Sequence, residues 1–125
     1  KNKIMGINST EVAYGFGQMG SMISTTTATL TPPAGKVFVA ITMLADTVFN
    51  ATNGLVADND TTAGLEYVGT DDAAHNAAFS PDLGESGVGG QVADTITFPK
   101  GLTIYGRWTK VINNAATPIM LYIGH

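Results

Sequence analysis

Residues 91–124 read QVADTITFPKGLTIYGRWTKVINNAATPIMLYIG. Their two-residue alternation, broken by Pro and Gly, admits strands and little else. Over 102–112, Leu102, Ile104, Gly106, Trp108, Lys110 and Ile112 fall on one side. Thr103, Tyr105, Arg107, Thr109 and Val111 fall on the other. Over 92–98, Val92, Asp94, Ile96 and Phe98 alternate with Ala93, Thr95 and Thr97. Pro99, Lys100 and Gly101 turn the chain, and 113–117 turn it again. Pro118 opens the last run, 118–123, where a missing N–H costs least. Upstream, KVFVAITML (36–44) puts Val37, Val39 and Ile41 on one face and Phe38, Ala40 and Thr42 on the other. Both faces are largely apolar, as in a central strand, or in one with the core on one side and a partner on the other. Strands are therefore predicted at 36–44, 92–98, 102–112 and 118–123. With turn signals at this spacing, the fold class is all-β, an antiparallel β-sandwich or jelly-roll-like domain.

The rest of the chain divides around that domain. Residues 1–30 are rich in Gly, Ser and Thr. Gly15, Gly17, Gly20 and the run Thr25, Thr26, Thr27 disfavour a helix. This segment reads as an extended N-terminal arm containing one or two strands, and 31–125 as the sandwich domain. Thr31, Pro32, Pro33, Ala34 and Gly35 form a turn. Residues 46–49 extend as a short strand, and Asn53-Gly54 marks another turn. The 57–90 stretch is a long central loop region, with a short strand at 65–68 and a turn or two of helix at 72–79. A loop of that length is expected to order against a neighbour.

The 125 residues contain no Cys, so disulfide and thiolate chemistry are excluded. The length is that of one domain able to bury a core without staples. Charged residues are only 13% of the chain and the formal net charge is −4. Ordinary globular chains carry roughly 25%, so a surface largely covered by partners is expected. The acidic balance and scattered Lys and Arg give no footprint for nucleic acid. No apolar run is long enough to span a membrane, and no signal peptide is visible. The sequence opens on Lys1, so a start codon upstream is expected.

Each pattern that carries chemistry has a plainer account. Gly15, Gly17 and Gly20 match G-x-G-x-x-G, but no helix-forming run follows to receive a pyrophosphate. Gly84, Glu85, Ser86 and Gly87 approach a nucleophile elbow, yet Val88 stands where its last Gly belongs. Nothing marks His75 or His125 as a base. Asp58, Asn59 and Asp60, with Asp71 and Asp72, supply oxygen donors without the EF-hand spacing, and read as a solvated face. No catalytic residue, cofactor or metal is expected.

What remains is recognition by surface. Arg and aromatic residues are enriched at binding hot spots, so Tyr105 and Arg107 are candidate interface residues, with Trp108 beside them in the core. Tyr14 and Phe16 share a face of the arm and are the other two. The expected core is Val37, Val39, Ile41, Ile96, Phe98, Ile104 and Trp108.

The stretches KVFVAITMLADTVF and FPKGLTIYGRWTKVINNAATPIMLYIG resemble small virion structural proteins of tailed bacteriophages, marine and cyanobacterial ones especially. The pattern there is FVAI, a variable centre, FP-x-G-x-TIYGRW and a closing strand ending YIG. The resemblance covers 36–49 and 98–124 and brings no catalytic residue with it. It implies a capsid decoration (cement) protein on the virion surface, assembled in the host cytoplasm, with the major capsid protein and copies of itself, a homotrimer, as partners. The alternative is a carbohydrate- or receptor-binding β-sandwich module of a phage head or tail. Exposure of Tyr105, Trp108 or Tyr122 would favour that one.

Overall fold

The structure, a computed structural model, describes residues 19–58, 67–70 and 92–125. The fold is all-β. Its strands are β1 (Ser21–Ser24), β2 (Val37–Met43), β3 (Leu55–Ala57), β4 (Thr103–Val111) and β5 (Ile119–Gly124). They form one open antiparallel sheet in the order β1-β5-β2-β4-β3. The predicted runs 36–44, 102–112 and 118–123 become its contiguous middle. Their β-branched and aromatic residues fit a pleated, half-buried surface. Within the described part of the arm, Ser21–Ser24 join this same sheet as β1 and Leu30 bridges to β4. Met22 lies opposite Leu121 in β5, and Leu30 exchanges two backbone hydrogen bonds with Val111, both 2.9 Å. Tyr14 and Phe16 lie outside the described residues, as do the helical turns expected at 72–79.

Two tight turns share one design. Lys36 N–H donates to Pro33 O (3.0 Å) and Leu102 N–H to Pro99 O (3.2 Å). In each, the residue before the donor is a glycine with positive φ, Gly35 at 79° and Gly101 at 89°. That is the position where a type II turn demands glycine.

Three expectations are corrected. Residues 92–98 are not a strand. Asp94 and Thr95 form a turn within the run, as their side chains favour; among the described residues Phe98 alone forms a bridge, with Thr47 (2.9 and 2.8 Å), and Ala93 N–H donates to Gly69 O (2.8 Å). Residues 46–49 likewise make only single-residue bridges, Thr47 to Phe98 and Phe49 to Asn113. Alternation places side chains on two faces but does not supply a neighbouring strand. The third correction is the phase of β2. Its pairing with β5 slips between Phe38 and Ala40, leaving Val39 as the extra residue of a bulge. Phe38, Ile41 and Met43 therefore share the core face, and Val39 is only half-buried.

The core lies on one face of the sheet. Phe38, Ile41, Met43, Trp108, Val111, Ile119, Leu121 and Ile123 project from the strands into it. Irregular segments cover them. Phe49 and Phe98 meet edge to face at 5.7 Å, a favoured aromatic geometry, and Val68 packs alongside. Of the expected core, Val37, Ile41 and Trp108 are buried, while Phe98 and Ile104 pack partly buried against the cluster. Ile96 is 39% exposed, because the turn at Asp94 and Thr95 carries it off the strand path.

Gly106 makes room for the Trp108 ring. A Cβ there would stand 2.6 Å from Trp108 Cζ2 and 3.0 Å from Cε2. The ring cannot swing away, because its Nε1–H donates to Val68 O at 2.8 Å. Gly106→Ala is expected to cost about 1–3 kcal/mol through overpacking. The check is a urea denaturation midpoint followed by the fluorescence of Trp108, the sole tryptophan.

Candidate functional site

The sheet's other face points away from the core, and pairing fixes its composition. One row across the strands reads Ile23, Met120, Thr42, Thr103, each opposite the next. The adjacent row reads Ser21, Tyr122, Ala40, Tyr105. None of these residues is charged. Ile23 is 58% exposed and Tyr105 60%.

Ala40 is the smallest residue of its row, and it sits between Tyr122 and Tyr105. The result is a depression of about 180 Å³, lined by Ala40, Thr42, Thr103, Tyr105 and Tyr122. At one end the hydroxyls of Thr42 and Thr103 lie 2.7 Å apart. One donates to the other, so the accepting hydroxyl keeps its own proton for another partner. The floor is thus apolar, the flanks aromatic and the end hydroxylated.

Arg107 serves a different purpose. Its Nη2 donates to Asp58 Oδ2 at 3.1 Å and its Nη1 to the carbonyl oxygen of His125. Its guanidinium carbon lies 6.0 Å from the Tyr67 ring centroid. Asp58 N–H in turn donates to Arg107 O at 2.8 Å. The side chain ties β4 to the segments that follow β3 and β5. Both partners of the ion pair are over a third exposed, and such pairs contribute about 0–1 kcal/mol. Asp58→Asn is therefore expected to lower stability by less than about 1 kcal/mol. Thermal melts of the two proteins in low and high salt should differ less as salt rises.

Of the four candidate interface residues, Tyr105 and Arg107 fall two apart on β4. The structure puts Tyr105 on the depression and Arg107 in the clamp. Trp108 is fully buried, which removes it from the exposed aromatics that a sugar-binding reading would use, while Tyr122 stays with Tyr105. Thr42, Thr103 and Ala40 were not singled out from the sequence. Their signal is cross-strand adjacency, and the Val39 bulge hides it. Among the described residues no cluster of three or more His, Asp or Glu side chains stands ready to hold a metal, and no helix is long and apolar enough to cross a membrane. Comparison of the chain with protein-family models, with curated proteins and with solved structures found no match.

Proposed function

We propose that this chain is a non-catalytic structural protein of a tailed-phage virion, a capsid decoration protein that binds the major capsid protein and copies of itself as a homotrimer. The proposal places it on the capsid surface, with neither nucleic acid nor membrane as partner. The observation that carries it is the edge of the sheet. No described strand lies outside β1, and Ile23 stands exposed there beside Met120. An open edge accepts an extended segment from a partner, with backbone hydrogen bonds supplying affinity and neighbouring side chains supplying specificity. The residues that carry the phage resemblance fit the same reading. FVAI lies in β2, TIYGRW in β4 and YIG at the end of β5. Gly106, Arg107 and Trp108 serve packing and strand-end fastening, as a signature of architecture rather than of catalysis would. The sandwich or jelly-roll-like form belongs to the same proposal. Its second layer is the cover over the core, begun by the bridge from Thr47 to Phe98.

The test is Ile23→Lys, which puts a charge on the edge without touching the core. The variant should melt like the parent yet fail to co-sediment with tailed-phage heads that lack this protein. Sedimentation of the parent alone should give a trimer. Undiminished binding by Ile23→Lys would remove β1 as the docking edge, and absence of binding by the parent would remove the capsid reading.

A further inference from the structure

The depression on the outward face has a chemistry of its own, independent of the capsid reading. We infer that Tyr105, Tyr122, Thr42, Thr103 and Ala40 form a binding site for one ring of a neutral saccharide.

Three observations select that ligand class. The first is charge. Both rows of the face, from Ile23 to Thr103 and from Ser21 to Tyr105, are uncharged. An anionic or cationic ligand finds no counter-charge among the described residues that line the depression, and desolvating its charge unpaired is costly. The second is the mixture of surfaces. Two tyrosine rings flank an alanine floor, and the Thr42–Thr103 hydroxyl pair closes one end. A pyranose ring offers the complement, with C–H groups on its faces and hydroxyls around its rim. The linked threonine hydroxyls present both a proton and lone pairs, so they can donate to one sugar hydroxyl and accept from another. A purely aliphatic ligand would cover the accepting hydroxyl's remaining proton without offering it an acceptor, at a cost.

The third observation is size. About 180 Å³ falls below the roughly 300–1,000 Å³ of pockets that enclose drug-sized ligands. It holds one ring and leaves the rest of a chain in solvent. The face itself is two rows deep over four strands. By strand spacing that is roughly 300 Å², well short of the about 800 Å² per partner of a stable protein interface. A second copy therefore does not hold itself on this face alone, whereas a saccharide ring needs no more.

The experiment is a heteronuclear NMR titration of the whole chain with methyl glucoside, methyl galactoside and N-acetylglucosamine, using glucuronate as the anionic control. A single ring is expected to bind with a Kd of about 1 mM, with shifts centred on Thr42, Thr103, Tyr105 and Tyr122, and the control should bind more weakly. Thr42→Val keeps the shape and removes a hydroxyl, and should weaken binding about fivefold. Tyr105→Ala should weaken it about tenfold or more, while Tyr105→Phe, which keeps the ring, should recover most of that loss. The assignment is overturned if none of the neutral sugars shifts these residues, or if Tyr105→Ala leaves the shifts unchanged. It is also overturned if the same resonances move on dilution of the protein alone and not with sugar, which would give the face to a second copy. Ile23 does not line the depression, so Ile23→Lys should leave the neutral-sugar shifts of Thr42, Thr103, Tyr105 and Tyr122 in place, and loss of capsid binding and loss of sugar binding are separate results.

Discussion

Trp108→Ala should unfold the domain or bring it close to unfolding. The side chain is completely buried and fills the core between Phe38, its partner across β2, and Ala57, its partner across β3. Truncating a buried Trp typically costs about 3–5 kcal/mol, against a total stability of about 5–15 kcal/mol for an ordinary domain. At about 4–8 °C per kcal/mol, the melting temperature should fall by tens of degrees. Trp108→Phe isolates one part of that loss. It keeps most of the apolar volume and leaves the Val68 carbonyl, which accepts the indole N–H at 2.8 Å, without its donor. A fully buried unsatisfied group costs about 1–3 kcal/mol, and this bond is only partly buried, so the loss should fall at the lower end. Residues 67–70 are also held by Thr70, whose N–H donates to Leu55 O and whose hydroxyl accepts from Leu55 N–H, both 2.9 Å. Amide exchange at Thr70 and Leu55 should therefore accelerate in Trp108→Phe while β2 and β5 stay protected. A thermal melt unmoved by Trp108→Ala would place the ring outside the core.

Gly54→Ala is the second large effect, and its cause is contact with backbone. A Cβ on Gly54 would come within 2.2 Å of Asn50 O, 2.5 Å of Asn50 N and 2.6 Å of Phe49 Cβ. None of these yields easily. Asn50 O accepts from Gly54 N–H at 2.9 Å, and Asn50 N–H donates to Ile112 O at 2.9 Å. The Asn50 side chain accepts from the N–H groups of Thr52 and Asn53. Relief requires opening this turn and lifting Phe49 out of the core, so the cost should reach the upper end of the about 1–3 kcal/mol usual for overpacking, or exceed it. Gly35→Ala and Gly101→Ala are the comparison. Nothing lies within 4 Å of a Cβ at either position, and only the positive φ resists substitution, at about 1–2 kcal/mol. Urea midpoints should fall further for Gly54→Ala than for either of the others. An inverted ranking would mean that backbone conformation, not crowding, sets the demand for glycine here.

The middle of the sheet was legible because its strands are long and apolar on at least one face. The 102–112 run reads correctly from Ile104 through Trp108, including which side Trp108 takes. What the alternation missed has physical causes. Val39 inserts a residue and reverses the phase of β2, which moved Phe38 into the core. Three residues in β3 and four in β1 are too few for a periodic signal, and both owe their strand form to a longer neighbour. The 92–98 run had the opposite fault, a two-residue pattern that gains only single-residue contacts, Phe98 with Thr47 and Ala93 with Gly69, among the described residues. The candidate site was half legible. Tyr105 stands out as an aromatic on the polar side of a strand, but Thr42, Thr103 and Ala40 become a site only through registry between strands far apart in sequence. Arg107 matched the profile of a hot-spot residue, yet the structure joins its guanidinium to Asp58 and the His125 carbonyl, partners that no spacing rule anticipates.

The strand order has a consequence for synthesis. β5 lies between β1 and β2, so the first two described strands wait for their common neighbour until Ile119–Gly124 has been translated. At about 5–20 residues per second, the ribosome needs seconds to get from Met43 to Gly124. Through that interval β1 lacks the strand it pairs with, and β2 lacks both of its flanking strands until β4 is made, and β5 after that. The nascent chain must keep Phe38, Ile41 and Met43 from other chains without the help of Leu121 and Ile123. Sheet formation then becomes a late closure dominated by distant pairings, the class that folds slowly. Arrested ribosomes displaying the chain short of Ile119 should bind hydrophobe-seeking chaperones strongly, and release should follow when β5 emerges from the exit tunnel.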